Sequence, residues 1–352
     1  MFLLLRSNGL FPLNPALDSA PAPDPQPKKG PSNLRLRAIW GALAAALLFG
    51  CTFGGPISFG LFFAAVQAVM LKEFYRIMRA KGYQPAFWIG IVFGTLLFLY
   101  VAFFTHLDIQ IGNKYIVGGG MVTGATVYPP LDGSQATPTL EDATLLGNNV
   151  AVEAKVLAAS IYFLPVWGVL LLVGLLIREI IRWPKDENPF GSLAITLLGI
   201  CYVSIPMTLL NNIAHHGLSY EPRRVFFLVF LIWAADTGAY FAGKNLGKHK
   251  LAPSISPGKT WEGWAGGALL TLIVGAAAGY FLPDIPLSHR LVAAGVVAIF
   301  GPLGDLAESM LKRSAGVKDS GTFLPGHGGL LDRFDAFLLV LPVLALLQVL
   351  AG

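Results

Sequence analysis

Charge is what this sequence has least of. Asp, Glu, Lys and Arg make up 13% of its 352 residues, against roughly a quarter in a soluble domain. Hydrophobic residues make up 55%, and mean hydropathy is +0.64. That balance excludes a water-soluble globular fold. It leaves an all-α, polytopic integral membrane protein whose core is buried by lipid and by helix–helix contact. Cysteine is scarce as well. Cys51 and Cys201 both sit inside apolar runs, so neither a disulfide framework nor a zinc-type spacing is available. Both read as small apolar packing residues. The opening "MFLLLR" is too short for the apolar region of a signal peptide and has no basic residue ahead of it. No cleaved leader is therefore expected, and the first span reads as an anchor.

What is there begins with a tail. Residues 1–35, with "NPALDSAPAPDPQPKKGPS", are rich in Pro and Ala and cannot form a packed core, so they read as a disordered cytoplasmic tail. Apolar stretches then recur near the roughly 20 residues needed to cross a bilayer. They fall at 38–53, 57–71, 86–105, 156–177, 193–213, 225–242, 264–282, 291–306 and 334–350, about nine spans in all. The first two are short and are joined by "GGPIS".

Every second loop is basic. Lys28, Lys29, Arg35 and Arg37 precede the first span; Lys72, Arg76, Arg79 and Lys81 follow the second; Arg178, Arg182 and Lys185 follow the fourth. Lys244, Lys248, Lys250 and Lys259 follow the sixth, and Lys312, Arg313 and Lys318 the eighth. The other loops are poor in Lys and Arg apart from Arg223 and Arg224. Positive charge marks the cytoplasmic side, which puts the amino terminus inside and the carboxyl terminus outside. An external segment is then expected at 106–155, with Asp132, Glu141 and Asp142. The expected organisation is the tail, a set of helices over 36–225, and a catalytic region over 226–352 with cytoplasmic loops 244–263 and 309–333.

Both of those loops are unusual. The earlier carries "GKT" at Gly258–Thr260, but a P-loop needs a glycine five residues before its Gly-Lys pair. Pro253 stands there, and no strand is expected ahead of it. The P-loop reading fails. Ser256, Lys259 and Thr260 remain as groups suited to phosphate oxygens in a Gly/Pro-structured loop. Just upstream, the run "VFFLVFLIWAA" places Asp236 inside a span. A carboxylate there either pairs with a lysine on a neighbouring helix or lines a polar cavity.

In "GDLAESMLKR", Asp305, Glu308, Ser309 and Lys312 fall at i, i+3, i+4 and i+7, on one helical face. A solvated helix end would look similar, but Asp305 directly follows the apolar run "LVAAGVVAIFGPL". Lys318-Asp319 then leads into Pro325-Gly326-His327-Gly328-Gly329, whose small residues let backbone N–H groups approach a ligand. Asp332, Arg333 and Asp335 open the last span, with the two aspartates at i and i+3. Carboxylates without His or Cys partners suit a hard cation, Mg²⁺ before Zn²⁺. Asp236, Asp305, Asp332 and Asp335 are the expected ligands. Lys259, Lys312, Arg313, Lys318 and Arg333 supply charge for phosphate. Acids for a metal beside bases for phosphate equip a site for phosphoryl or nucleotidyl transfer. His327, between glycines, reads first as a turn residue and not as a general base. His215 and His216 read as interfacial, and Trp40, Trp88, Trp183 and Trp261 as interface-belt residues. A secondary transporter would show two related halves with interrupted helices, and no such repeat is seen.

These residues carry a resemblance. Ser309, Lys312-Arg313, Lys318-Asp319, the Pro325–Gly329 turn and Asp332-Arg333-Phe334-Asp335 stand in the order and spacing of the closing signature of the phosphatidate cytidylyltransferases, the CDP-diacylglycerol synthases. Asp236–Tyr240, Ser256–Gly263 and Gly304–Leu306 are similar to that family's upstream pieces. The likeness is strongest over 226–336. It implies transfer of CMP from CTP to phosphatidate, giving CDP-diacylglycerol and pyrophosphate, with Mg²⁺ alone or with a second cation. It implies Asp305 and Asp332 as first metal ligands, with Asp335 and Asp236 in support. Lys312 and Arg313 stand with those two aspartates as catalytic residues. Ser256, Lys259, Thr260, Ser309, Lys318, Arg333 and His327 would bind substrate and phosphate. The expected partners are CTP and membrane phosphatidate, with no nucleic acid, and the resemblance suggests a homodimer. The expected location is a bacterial inner membrane with the site on its cytoplasmic side. The alternatives are a CTP-dependent lipid kinase of the polyprenol type and, behind it, a transporter.

Overall fold

The computed structural model describes residues 32–114, 122–123, 126–127, 163–216, 219–323 and 328–350, with side chains from 39–103, 163–215, 219–323 and 328–350. Nine helices follow one another among the described residues: α1 (Ser32–Phe53), α2 (Pro56–Ala80), α3 (Phe87–Lys114), α4 (Phe163–Arg182), α5 (Pro189–Ala214), α6 (Pro222–Leu246), α7 (Trp261–Tyr280), α8 (Leu287–Ser314) and α9 (Leu331–Leu350). Seven of these are long and apolar enough to cross a membrane. α1 and α3 contribute shorter apolar stretches, Ile39–Phe53 and Phe87–Phe103, at the two remaining positions expected from the sequence. The protein is an all-α integral membrane protein.

Two spans run further than hydropathy alone suggests. α2 continues to Ala80, although the sequence ends that span at residue 71, because Glu73 and Arg76 are held by partners inside the protein. α8 continues to Ser314 past the expected end at 306, so Ser309 and Lys312 lie on a helix and not in the loop 309–333. Most of the expected tail, and the 106–155 segment beyond α3 save two short strands, lie outside the described residues.

Contacts between loops fix the two ends of the bundle. Arg178 of α4 donates to the Gln84 carbonyl after α2 (2.9 Å), Arg76 of α2 donates to the Ser320 carbonyl after α8 (2.7 Å), and Lys259 after α6 reaches Asp305 of α8 (2.7 Å). The loops after α2, α4, α6 and α8 therefore share one end, and it is the basic one. At the other end Tyr220 donates to the Thr52 carbonyl (2.6 Å), and burial pushes its phenol well above the usual range. The two exceptional arginines also lie there, each ion-paired at 3.0 Å: Arg223 with Glu221 and Arg224 with Asp284.

Within lipid, helices associate through close packing and interhelical hydrogen bonds, since leaving the bilayer for a neighbour brings little hydrophobic gain. α2 is central, and Phe59, Phe63, Met70, Leu71 and Phe74 pack into one core with α6, α8 and α9. Gln67, wholly buried, donates to the Gly94 carbonyl of α3 (2.7 Å) and to Ser204 of α5 (3.2 Å). α6 and α7 meet along small residues. A Cβ on Gly267 would lie 2.6 Å from the Ala235 carbonyl oxygen, so only glycine permits this approach.

Between α6 and α7 the chain forms a hairpin, β1 (Lys250–Ala252) against β2 (Ser256–Thr260). The sequence expects no strand here. Strands this short leave no period-2 pattern to read. The P-loop reading stays excluded: "GKT" ends a hairpin strand, and Pro253 lies in the turn.

Candidate active site

α8 and α9 bring their charged turns face to face. Gly304 makes this possible, because a Cβ there would stand 2.5 Å from the Asp335 carbonyl oxygen and 2.9 Å from the Ala336 Cα. Asp305 and Glu308 of α8 meet Asp335 of α9, with one oxygen from each of the three lying within 4.8 Å of the others. Glu308 is 1% exposed, and its Oε1 finds no hydrogen-bond donor among the described residues. A buried carboxylate costs several kcal/mol unless its charge is met. A buried carboxylate with one orphaned oxygen, beside two further carboxylates, fits a hard divalent cation, and the absence of His and Cys from the set argues against zinc. These three residues could hold a metal ion.

The neighbouring cations are arranged around this cluster. Lys312 places its ammonium 2.5 Å from Glu308 and 2.6 Å from Asp332, joining the two helices. Lys259 extends from β2 to Asp305 (2.7 Å) and also donates to the Pro302 carbonyl (3.3 Å). Pro302, inside α8, has no N–H for the carbonyl of Ala298, four residues back. That carbonyl accepts instead from the indole N–H of Trp264 on α7 (3.0 Å). One proline thus supplies a docking point for the hairpin lysine and for α7. Ser309 donates to Asp305 (3.2 Å).

Asp332 has a different setting from Asp335. Besides Lys312 it accepts from the Gly329 N–H (2.9 Å) and the Ser320 N–H (3.2 Å). It closes the loop between α8 and α9; its carboxylate also meets that of Glu308, but among the described residues it is not one of the three clustered carboxylates.

The other expected residues fall as follows. Asp236, exposed on α6, shares its electrostatic surroundings with Asp305, Lys259 and Arg333. Thr260 is buried and caps α7, its Oγ1 accepting from the Gly263 N–H (3.1 Å). Ser256 pairs with Ala252 in the hairpin, away from the carboxylates in sequence but on the same strand as Lys259. Arg313, Lys318 and Arg333 are exposed at the same end. His327 lies outside the described residues.

Three residues escaped the sequence reading of the site. Glu308 is expected only as a member of the Asp305 face, with no role of its own; in the structure it also forms an i, i+4 ion pair with Lys312. Tyr202 lies in a π-turn of α5, Ile200–Ser204, where the Ile205 N–H reaches back to Ile200. Its buried hydroxyl has no hydrogen-bond partner among the described residues and lies in the field of both Glu308 and Asp335. π-turns often accompany functional sites, and the nearby Pro206 is its only sequence trace. Glu73 of α2, 4% exposed, accepts from the Leu331 N–H (2.8 Å) and from Ser320 Oγ (3.2 Å). Its surroundings "VMLKEFYRIM" read as a basic loop edge.

Comparison with known proteins bears on this arrangement. The profile of the cytidylyltransferase family matches residues 35–350, nearly the whole chain. The chain belongs to the cytidylyltransferase family. A phosphatidate cytidylyltransferase of Bacillus subtilis (strain 168) is 44% identical over 180 residues, 51% of this chain and 64% of that protein. One from Staphylococcus saprophyticus is 45% identical over 166 residues, and one from Staphylococcus aureus (strain COL) 44% over the same length; each match covers 47% of this chain and 62% of the relative. The chain therefore matches somewhat under two thirds of the length of these relatives. The matched stretch takes in every residue of the carboxylate cluster and both of its bridging lysines.

Proposed function

We propose that this cytidylyltransferase transfers CMP from CTP to phosphatidate, leaving CDP-diacylglycerol and pyrophosphate. The observation that carries the reading is the cluster of Asp305, Glu308 and Asp335 flanked by Lys259 and Lys312, at the end of the bundle where the basic loops gather. The names of the relatives supply the substrates.

In this reading a phosphate oxygen of phosphatidate attacks the α-phosphorus of CTP. A new P–O bond forms, and the bond to the β-bridging oxygen breaks, its electron pair leaving with pyrophosphate. The attacking phosphate is already an anion, so no strong general base is required. Lys259 and Lys312 turn from their carboxylates toward phosphate oxygens as the substrates enter, with Arg313, Lys318 and Arg333 at the exposed margin. Ser309 holds Asp305 in orientation. Asp305, Glu308 and Asp335 would hold Mg²⁺, with Asp236 in support and a second cation as a further occupant. When bound, the ion would neutralise charge that builds on the triphosphate as pyrophosphate departs. Asp332, a first ligand by resemblance, orients Lys312 here. CTP would arrive from the cytoplasm of a bacterial cell and the lipid from the inner-membrane leaflet. A homodimer is the proposed assembly.

The test uses purified protein, phosphatidate in mixed micelles, Mg²⁺, and CTP labelled at either the α- or the γ-phosphate. The α-label is expected in lipid and the γ-label in pyrophosphate. Transfer of the γ-label to lipid, as a lipid kinase would give, overturns the proposal, as does CTP cleavage that ignores the lipid.

A further inference from the structure

Ser320 is held through three of its groups by two helices, α2 and α9. Its N–H donates to Asp332 (3.2 Å), its hydroxyl donates to Glu73 (3.2 Å), and its carbonyl accepts from Arg76 (2.7 Å). It is fully buried. Glu73 also accepts from the Leu331 N–H at the start of α9 (2.8 Å), one residue before Asp332. One carboxylate on α2 thus ties Ser320, within the loop after α8, to Leu331 at the start of α9.

The fit around that carboxylate is tight. A Cβ on Gly321 would lie 2.6 Å from the Glu73 carboxyl carbon, and one on Gly329 would lie 2.6 Å from Glu73 Oε2. Both glycines belong to the loop that Glu73 holds, and Gly329 supplies an N–H to Asp332. A buried carboxylate in a membrane helix is costly and marks function by default. Here the charge is spent on backbone and hydroxyl donors whose placement sets where Asp332, and through it Lys312, can stand.

We infer that Glu73 is a positioning residue for the transfer reaction: it fixes the loop between α8 and α9 so that the Ser320 and Gly329 N–H groups aim Asp332 at Lys312. The inference rests on the cytidylyl-transfer reading for its kinetic consequence, but the loop restraint itself does not depend on which reaction occurs. Glu73 touches neither Lys312 nor the three clustered carboxylates among the contacts described, so its effect passes through the loop.

The test compares wild type with Glu73→Gln and, because the first may reach the membrane poorly folded, with Ser320→Ala, which removes only the hydroxyl from the same junction. Two measurements are made on full-length protein of equal monodispersity: steady-state kinetics with dioleoyl-phosphatidate, CTP and Mg²⁺, and hydrogen exchange across residues 318–331. Glu73→Gln is expected to lower kcat about 10–100-fold, the range for outer-shell support of a site. KM for CTP and phosphatidate should stay within about threefold, the pattern of an interaction needed in the transition state. Exchange in the loop should accelerate while that in α7 is unchanged. Ser320→Ala should move both readings in the same direction by a smaller amount. Unchanged loop exchange, or a kcat per folded molecule within about twofold of wild type, overturns the inference. If wild type itself makes no CDP-lipid, the cytidylyl-transfer reading fails, and loop exchange alone decides whether Glu73 is the restraint.

Discussion

The ammonium of Lys259 lies 2.7 Å from the Asp305 carboxylate, so a residue of the hairpin is docked on the turn of α8 that carries the carboxylate cluster. The pair is half open to solvent on the Asp305 side, 43% exposed, where an incoming triphosphate can compete for the lysine. Lys259→Met should therefore lower kcat/KM for CTP by about 10²–10³-fold, or ~2.7–4 kcal/mol, as for loss of one preorganised charge donor. Stability should change little, since a partly exposed pair contributes about 0–1 kcal/mol. Pyrophosphate release and thermal unfolding, measured side by side, check both halves.

The carboxylate cluster makes a metal prediction. EDTA should abolish turnover and Mg²⁺ should restore it. Glu308→Gln should raise the Mg²⁺ concentration for half-maximal activity about 10–100-fold, the scale for a weakened metal environment. Asp305→Asn and Asp335→Asn should do the same or worse. A Mg²⁺ titration that is identical for wild type and all three variants would place the ion elsewhere.

Pro302 and Trp264 make a prediction about coupling. Trp264→Phe leaves the Ala298 carbonyl without its indole donor, which should cost about 1–3 kcal/mol as a buried unsatisfied acceptor. Pro302→Ala restores the N–H that a regular helix would offer that carbonyl. The double variant should accordingly unfold at a higher temperature than Trp264→Phe alone. Additive losses in a double-mutant cycle would show that the two residues do not share this carbonyl.

The loop contacts predict sidedness. In a background with Cys51→Ala and Cys201→Ala, Lys318→Cys lies at the basic end and Tyr280→Cys, where the native side chain is 89% exposed, at the opposite one. An impermeant maleimide applied to intact spheroplasts should label Tyr280→Cys and reach Lys318→Cys only after permeabilisation. The reverse pattern would turn the site outward, away from cytoplasmic CTP.

Much of this molecule is legible in its sequence because lipid imposes a simple code of length and hydropathy. The apolar runs mark the helices, and alternation of basic loops anticipates which loops meet. The spacing of Asp305, Glu308, Ser309 and Lys312 gives the correct helical face. The code fails where charge is internal. Glu73 and Arg76 look like the wet end of a span, yet Glu73 is buried by a loop nearly 250 residues away, and no local pattern announces such a partner. Asp332 and Asp335 look equivalent at i and i+3, but antiparallel contact with α8 gives Asp332 to Lys312 and the loop N–H groups, and Asp335 to the cluster with Asp305 and Glu308. Tyr202 depends on a π-turn, whose single extra residue leaves composition untouched.

The glycine and alanine contact between α6 and α7 carries a mechanical consequence. With backbone nearly touching backbone at Gly267 and Ala235, the two helices have no side-chain cushion over which to slide. Asp236 on one, Trp264 on the other and the hairpin joining them therefore ride as a single lever. Both ends of that lever bear on one stretch of α8, Lys259 at Pro302 and Trp264 at Ala298, so a displacement of the hairpin reaches α8 together with one of α7.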